Sequence, residues 1–400
     1  MKHVYFSLSL ILIFLSASFK SQTATSIASG NWTNPLTWNC TCVPLMGHAV
    51  TINHTVTLNT SMSFTAGGVT INNSGALMQD ASNNRDLWFN GGTFVNNGKA
   101  NFRYLLVTGG TNNTNNGTFT VSAMTNSIVT FNNNGTITMD SMYVAANFTN
   151  TANGKIIGDS LTNGPGTTFL NNGRINVTWS TNRGTLNNNN YHGGYAFTND
   201  GTYSNVDSLV MTGSMWNKVL FTNQIGAQVR LTKNFHNYTP GNTARFDNRG
   251  NVVVLDSWYN TDTIKGTNTG TFTVSDTSAN SGHMKGNFKF CDLTPPASSP
   301  YIDLNAGVVS VNITWCTTSS VDELNPTKGT VKYFPNPSNG HFIIFGDKEE
   351  TLFLYNDIGQ QIRIIELDRG NNFKAEIGGL DNGIYFLTGK TFREKVIVIK

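Results

Sequence analysis

The sequence predicts an all-β protein, a parallel β-solenoid followed by a small Ig-like β-sandwich, and three observations carry that reading. First, only 49 of the 400 residues are charged, against about a quarter in an ordinary domain, while 55 are Asn, 52 Thr and 39 Gly. All six Glu lie after residue 322, and Asn, Thr and Gly are poor helix formers. The first four-fifths therefore lacks the material for long helices, and a Glu-based active site there is excluded. Second, a phrase of Phe, Asn and Gly recurs through that region. Third, the composition changes abruptly near Thr330. Apolar residues recur throughout, which argues against disorder. A net charge of +3 is too small to act as a nucleic-acid footprint.

At the N-terminus, Lys2 and His3 precede an apolar run from Val4 to Leu15 and then Ser16, Ala17 and Ser18. About twelve apolar residues cannot span roughly 30 Å of hydrocarbon as a helix. Residues 1–21 are expected to be a secretory signal peptide, cut somewhere in 18–24. No later segment is apolar enough for a membrane span. Residues 24–58 follow as a Trp-rich cap, carrying Trp32, Trp38 and two alternating runs (Val50, Ile52; Val56, Leu58) with strand period. In an exported chain, cysteines are expected in disulfides. Cys40 and Cys42 form a C-x-C in which a bond would be strained, so their pairing stays open between a bond, a free pair and a metal pair.

Residues 59–290 are expected to be the solenoid. The phrase appears from Phe94, Phe131, Phe148, Phe169, Phe197, Phe221 and Phe246, each time leading into a short alternating strand. Marking glycines at 75, 98, 117, 135, 154, 173, 201, 226, 250 and 270 recur every 18–28 residues. That period suits one coil of two or three short strands joined by tight corners. Phe is expected to point inward and stack on the Phe of the next coil. Asn and Gly would supply left-handed corners, and stacked Asn would hydrogen-bond along the axis. About ten coils at roughly 4.8 Å give a rod near 48 Å. Like charges at equivalent positions of adjacent coils would repel, which explains the low charge. The competing reading is an antiparallel sandwich with Asn-Gly hairpins. An open solenoid end exposes strand edges, which the Trp-rich segment is placed to cover. That segment resembles the opening of many secreted surface proteins of this type.

Residues 291–329 are expected to be a disulfide-closed segment and linker. Cys291 and Cys316 bracket an insert with Pro295, Pro296 and Pro300, and Val321 to Lys328 is the candidate cut site. Residues 330–400 contain 18 charges and short alternating strands such as "HFIIF", "TLFLYN", "QIRIIEL", "GIYFLTG" and "KVIVIK". Here four blocks stand in order: Pro335, Asn336, Pro337 and Gly340; Tyr355, Asn356 and Gly359; Leu380, Gly383, Tyr385 and Phe386; and a terminal strand bounded by Lys395 and Lys400. They resemble the type IX secretion sorting domain, type A. The resemblance implies a β-sandwich read by an outer-membrane secretion machine, which is the expected partner, after signal-peptide export. It implies a secreted or cell-surface protein, with the domain commonly removed on attachment or release. Pro335 and Pro337 fix backbone dihedrals and lack amide donors, so their segment is expected to stay extended and accessible. Gly359 and Gly383 are expected to set turns.

The solenoid shows little chemistry. Asp80, Asp140, Asp159, Asp207, Asp256 and Asp276 each follow a marking glycine by five or six residues, and are expected to end strands in Asx or Ser/Thr turns. Calcium between coils is disfavoured because the Asp residues skip coils. Ser141, Ser160, Ser208 and Thr263 stand in Asp-Ser/Thr-apolar triplets. These resemble the O-glycosylation acceptor motif of bacteria that carry type IX secretion. The His residues do not cluster, and no G-x-S-x-G, H-E-x-x-H or Walker loop is present. No catalytic residue, metal or cofactor is expected. Trp179, Tyr191, Tyr195, Trp216 and Trp258 are candidates for stacking on sugar faces, against the alternative of interior packing. The longest interval, Gly173 to Gly201, holds "NNNNYHGGY" and reads as a protruding loop with His192 in it. The favoured cargo function is a non-catalytic structural or adhesin-like rod. The alternative is a glycan-binding or polysaccharide-cleaving β-helix, whose partner would be a surface polysaccharide or extracellular glycan.

Overall fold

The computed structural model describes residues 22–241, 243–267, 269–316, 331–346, 348–389 and 393–400. The signal-peptide segment and the candidate cut site Val321–Lys328 lie outside them. The chain divides into two units, one ending at Trp315 and one beginning at Cys316.

The first unit is a parallel β-solenoid, with about 13 turns over residues 49–292. One face is a sheet of 15 parallel strands that begins with Thr23–Thr25 and ends with Val308–Val309. Fourteen strand spacings give this face a length of roughly 67 Å. Strand pairing is parallel throughout, which overturns the Asn-Gly hairpin alternative. From residue 99 to 199 the rest of each coil is one long strand, such as Thr136–Ala145 or Arg174–Asn182. Later coils break it in two, as in Ser208–Met211 and Met215–Asn217.

Side chains alternate in and out, and the inward ones stack by type. Phe131, Phe148 and Phe169 overlie one another at 5.5 and 4.9 Å, and Tyr203, Phe221 and Phe246 at 4.7 and 4.9 Å. Trp32 and Trp38 are fully buried, and Trp32 stands edge-on to Phe64, which stacks on Phe89. The start of the Trp-rich segment is thus itself a coil, with Thr23–Thr25 and Gly30–Asn31 paired onto Ala49–Ile52 and Thr55–Leu58 later in the same segment. At the other end, Leu304–Asn305, Val308–Val309 and Thr314–Trp315 add a further coil. Neither end coil carries the Phe-Asn-Gly phrase, so glycine spacing undercounts the turns.

The marking glycines have a different reason from the expected one. Of the ten, Gly226 has a positive φ (+80°) and the others do not. They are required by axial crowding, since a Cβ on Gly117, Gly135 or Gly173 would lie 2.0–2.2 Å from the carbonyl oxygen of a glycine one coil earlier. The interval from Gly173 to Gly201 is also no loop. Tyr191–Asn199 is a strand, and its pairing of Tyr191 with Arg174 sets a 17-residue coil. Gly173 and Gly201 mark two different corners. His192 is fully buried, with Nδ1 2.9 Å from the Tyr203 hydroxyl and Nε2 3.1 Å from Ser180 Oγ.

No cysteine among the described residues is free. Cys40 and Cys42 are bonded, because Thr41 takes a left-handed φ of 49° and brings their Cα atoms to 5.1 Å. Cys291 and Cys316 form the second bonded pair.

The second unit is two small antiparallel sheets. Lys332–Phe334, Phe342–Phe345 and Lys374–Ile377 form one. Gln361–Leu367, Glu350–Asn356, Gly383–Thr388 and Arg393–Val398 form the other, in that spatial order. Its own core includes Phe342, Ile344, Leu354, Leu387 and Val396.

Candidate functional site

In the C-terminal unit, sequence blocks some sixty residues apart are stitched together. Asn336 accepts from the Ile397 amide at 2.8 Å and donates Nδ2 to the Lys395 carbonyl at 2.9 Å, so its side chain mimics a strand edge. Ser338 continues the pairing through its backbone, to Ile397 and from Ile399. The Pro335–Pro337 segment is exposed, as expected, but it is tethered to the terminal strand rather than free. Gly340, at φ +94°, packs against the Leu380 carbonyl and the Lys400 stem. Lys400 donates its amide to Asn382 Oδ1 at 2.6 Å and pairs with Asp381 at 3.1 Å, while the Tyr385 hydroxyl donates to the Asp381 carbonyl. Gly359 turns the chain at φ +78°. Gly383 does not set a turn, since it opens a strand and a Cβ there would meet nothing closer than 3.7 Å.

Residues 332–400 match the family described as a secretion system C-terminal sorting domain. The tail indicates export by the type IX secretion system, and therefore interaction with its machinery and a secreted or cell-surface protein. Neither a curated protein nor a solved structure matches this chain.

On the solenoid, the sugar-stacking candidates separate. Trp258 is fully buried and belongs to the core, where it packs against Phe272 and Phe290. Tyr191 lies under the Arg174 guanidinium at 4.1 Å. Trp179 and Tyr195 are exposed and meet edge to face at 5.2 Å. Trp216 joins a row that the sequence reading missed. Trp216, His236 and Tyr259 lie in register on adjacent coils, with rings 5.6 and 5.0 Å apart and nearly parallel. Each stands one residue before a buried Asn (Asn217, Asn237, Asn260), and that repeated aromatic-Asn pair was the available signal. A groove of about 690 Å³ runs beside the row, with Thr198, Lys218 and Tyr238 on its walls. Burial pushes the His236 imidazole below its ordinary range, which favours the neutral ring.

The Asp residues do not form one column. Asp140 and Asp159 are in register with Thr178 and lie within continuous strands. The expected turn holds for Asp80, which accepts from the Ser82 amide and pairs with Arg85. Asp207 sits at another corner, because the glycine preceding it marks that other corner. Some charges on adjacent coils pair with opposite sign, as in Lys218–Asp200 at 3.1 Å and Lys233–Asp256 at 3.6 Å. Like charges also stand in register, Lys155 with Arg174 and Lys265 with Lys285, so the expected avoidance of like charge does not hold at every position. Among the described residues no three His, Cys, Asp or Glu side chains converge on a metal-sized site. Of the acceptor candidates, Ser141 and Ser160 pair in register on adjacent coils, with Ser141 exposed and Ser160 partly so. Ser208 and Thr263 are half-buried.

Proposed function

We propose that the solenoid is a non-catalytic extracellular rod with a structural or adhesive role. Its export takes two steps: residues 1–21 act as a signal peptide to the periplasm, and residues 330–400 direct the outer-membrane crossing. The observation that supports the rod reading is its interior. Two rows of Asn run along the axis, Asn96 to Asn248 on one corner and Asn163 to Asn305 on the other, buried except for the exposed terminal Asn305, each Nδ2 donating to the next Oδ1 at 2.7–3.0 Å. Within each row every coil is bonded to the next, which stiffens the long axis over the span the rows cover. The test is an in-frame deletion of residues 59–290 in the native host, with the tail kept. Export should persist while attachment of cells to surfaces or matrix falls. Unchanged attachment would count against the adhesive role.

A second reading is favoured by one observation, the Trp216–His236–Tyr259 row on the outer face. It supports glycan binding, since aromatic side chains present broad apolar area to sugar rings. A glycan array together with a lyase assay on residues 22–325 separates binding from cleavage. In the same spirit, Ser141, Ser160, Ser208 and Thr263 are proposed O-glycan acceptors, to be checked by mass spectrometry of exported protein.

A further inference from the structure

The aromatic row ends abruptly, and its end has the shape of a slot. Tyr259 pairs in register with Ala279, and Ala279 with Leu304. Two strand spacings, roughly 9.6 Å, therefore separate the strands carrying Tyr259 and Leu304. Ala279 between them is too small to fill the gap. The far face of Tyr259 is left looking across a methyl floor toward Leu304, which is 64% exposed. A depression of about 410 Å³ occupies this place. A ring in van der Waals contact with both walls needs about 4 Å on each side, so about 8 Å is required and one ring thickness fits.

The chemistry of the walls selects the ring. Among the described residues, no ionisable group other than the Tyr259 phenol lines the depression. An ion lodged there would lose hydration with no counter-charge. One edge is polar, from the side chains of Ser281 and Asn305, which are both exposed. A pyranose has this complementary make-up, with an apolar C–H face, a polar hydroxyl edge and no charge. We infer that the slot between Tyr259 and Leu304 over Ala279 is a binding subsite for one pyranose ring of a neutral polysaccharide. This rests on the glycan-binding reading and assigns it a place and a ligand class.

The experiment is affinity electrophoresis of the exported full chain in gels holding β-1,4-glucan, β-1,3-glucan, mannan or xylan, with polygalacturonate as the charged comparison. Three forms are run: wild type, Tyr259→Ala and Ala279→Trp. The second variant fills the slot with the chain's own ring on an outward-facing position, so it keeps the test open where loss of Tyr259 disturbs folding. The expected result is retardation of the wild type by at least one neutral polysaccharide, with Kd raised at least tenfold in both variants at unchanged Tm. Binding that survives Ala279→Trp overturns the slot and leaves glycan binding elsewhere intact. Retardation by none of the gels overturns both the slot and the glycan-binding reading. Retardation by polygalacturonate alone overturns the neutral ligand class.

Discussion

Gly135 shows how one atom decides at the residue scale. Its Cβ would sit 2.1 Å from the Gly117 carbonyl oxygen, backbone against backbone, with no flexible group to yield. Gly135→Ala should therefore cost about 1–3 kcal/mol, as over-packing does, whereas Gly383→Ala should stay within about 0.5 kcal/mol. Denaturant unfolding of the two variants checks the contrast, and equal losses would argue against axial crowding. His192 is the second case. Burial lowers its pKa to about 3, against 6.5 for a free histidine side chain, so the folded ring is neutral. The folded state binds the proton less readily than the unfolded chain. This group's contribution is thus complete above pH 6.5 and is lost as pH falls toward 3. At pH 5 the loss is about 2 kcal/mol. Stability of the wild type and His192→Gln at pH 7.5 and 5 tests this: the variant should show a flatter dependence, and identical slopes would refute the assignment. Burial of His192 was not legible in the sequence, because its neighbours Ser180 and Tyr203 are brought to it by the two adjacent coils.

The Asn rows are the decisive feature at the scale of elements. Within a row each amide has a donor on one side and an acceptor on the other, and the ends show what happens when a member is missing. Asn96 pairs with Ile71 on the preceding coil, and its Oδ1 is buried without a partner. Asn163 follows Val144 in the other row, and there the Thr167 hydroxyl supplies the missing donor at 2.6 Å. Asn188→Ala, in mid-row, removes the donor to Asn205 Oδ1 and to the Ser208 carbonyl. It should cost roughly 2–4 kcal/mol, and Asn96→Ala should cost less because its acceptor is already unpaired; thermal melts of the pair would show the order. In the C-terminal unit the sensitive element is the terminal strand, an edge strand held by Gly383–Thr388 on one side and by Asn336 and Ser338 on the other. Deleting Lys395–Lys400 removes most of it. The truncated chain should accumulate in the periplasm of the native host, and fractionation that found it outside at the intact level would sink the sorting role.

The molecule as a whole has two separate cores, one along the solenoid and one in the sorting unit. Calorimetry should resolve two transitions, with the pH-dependent one belonging to the solenoid, and the Lys395–Lys400 deletion should shift only the other. A single transition moved by both changes would show one cooperative unit instead. Because coils contact mainly their neighbours, the solenoid should keep its fold in the truncated form.

Composition and periodicity were enough to determine the all-β class and to favour a solenoid. An absence of Glu before residue 323, with Phe, Asn and Gly recurring at coil length, leaves little helix to build and favours an axial stack over an antiparallel sandwich, the alternative that parallel pairing then excluded. The sorting tail was equally legible, since its four blocks are local turn and strand signals in a set order. Only the tertiary structure decided register. Two corners use the same residue types, so glycine spacing confused Gly173 with Gly201; the supposed loop followed from that error, and the coil count fell short both there and at the end coils. Register also decided which aromatics face out. Trp216 and Trp258 look alike along the chain, yet Trp216 stands before its row Asn and points outward, while Trp258 stands two before Asn260 and points in. With a side-chain period of two, one residue separates a binding surface from a core.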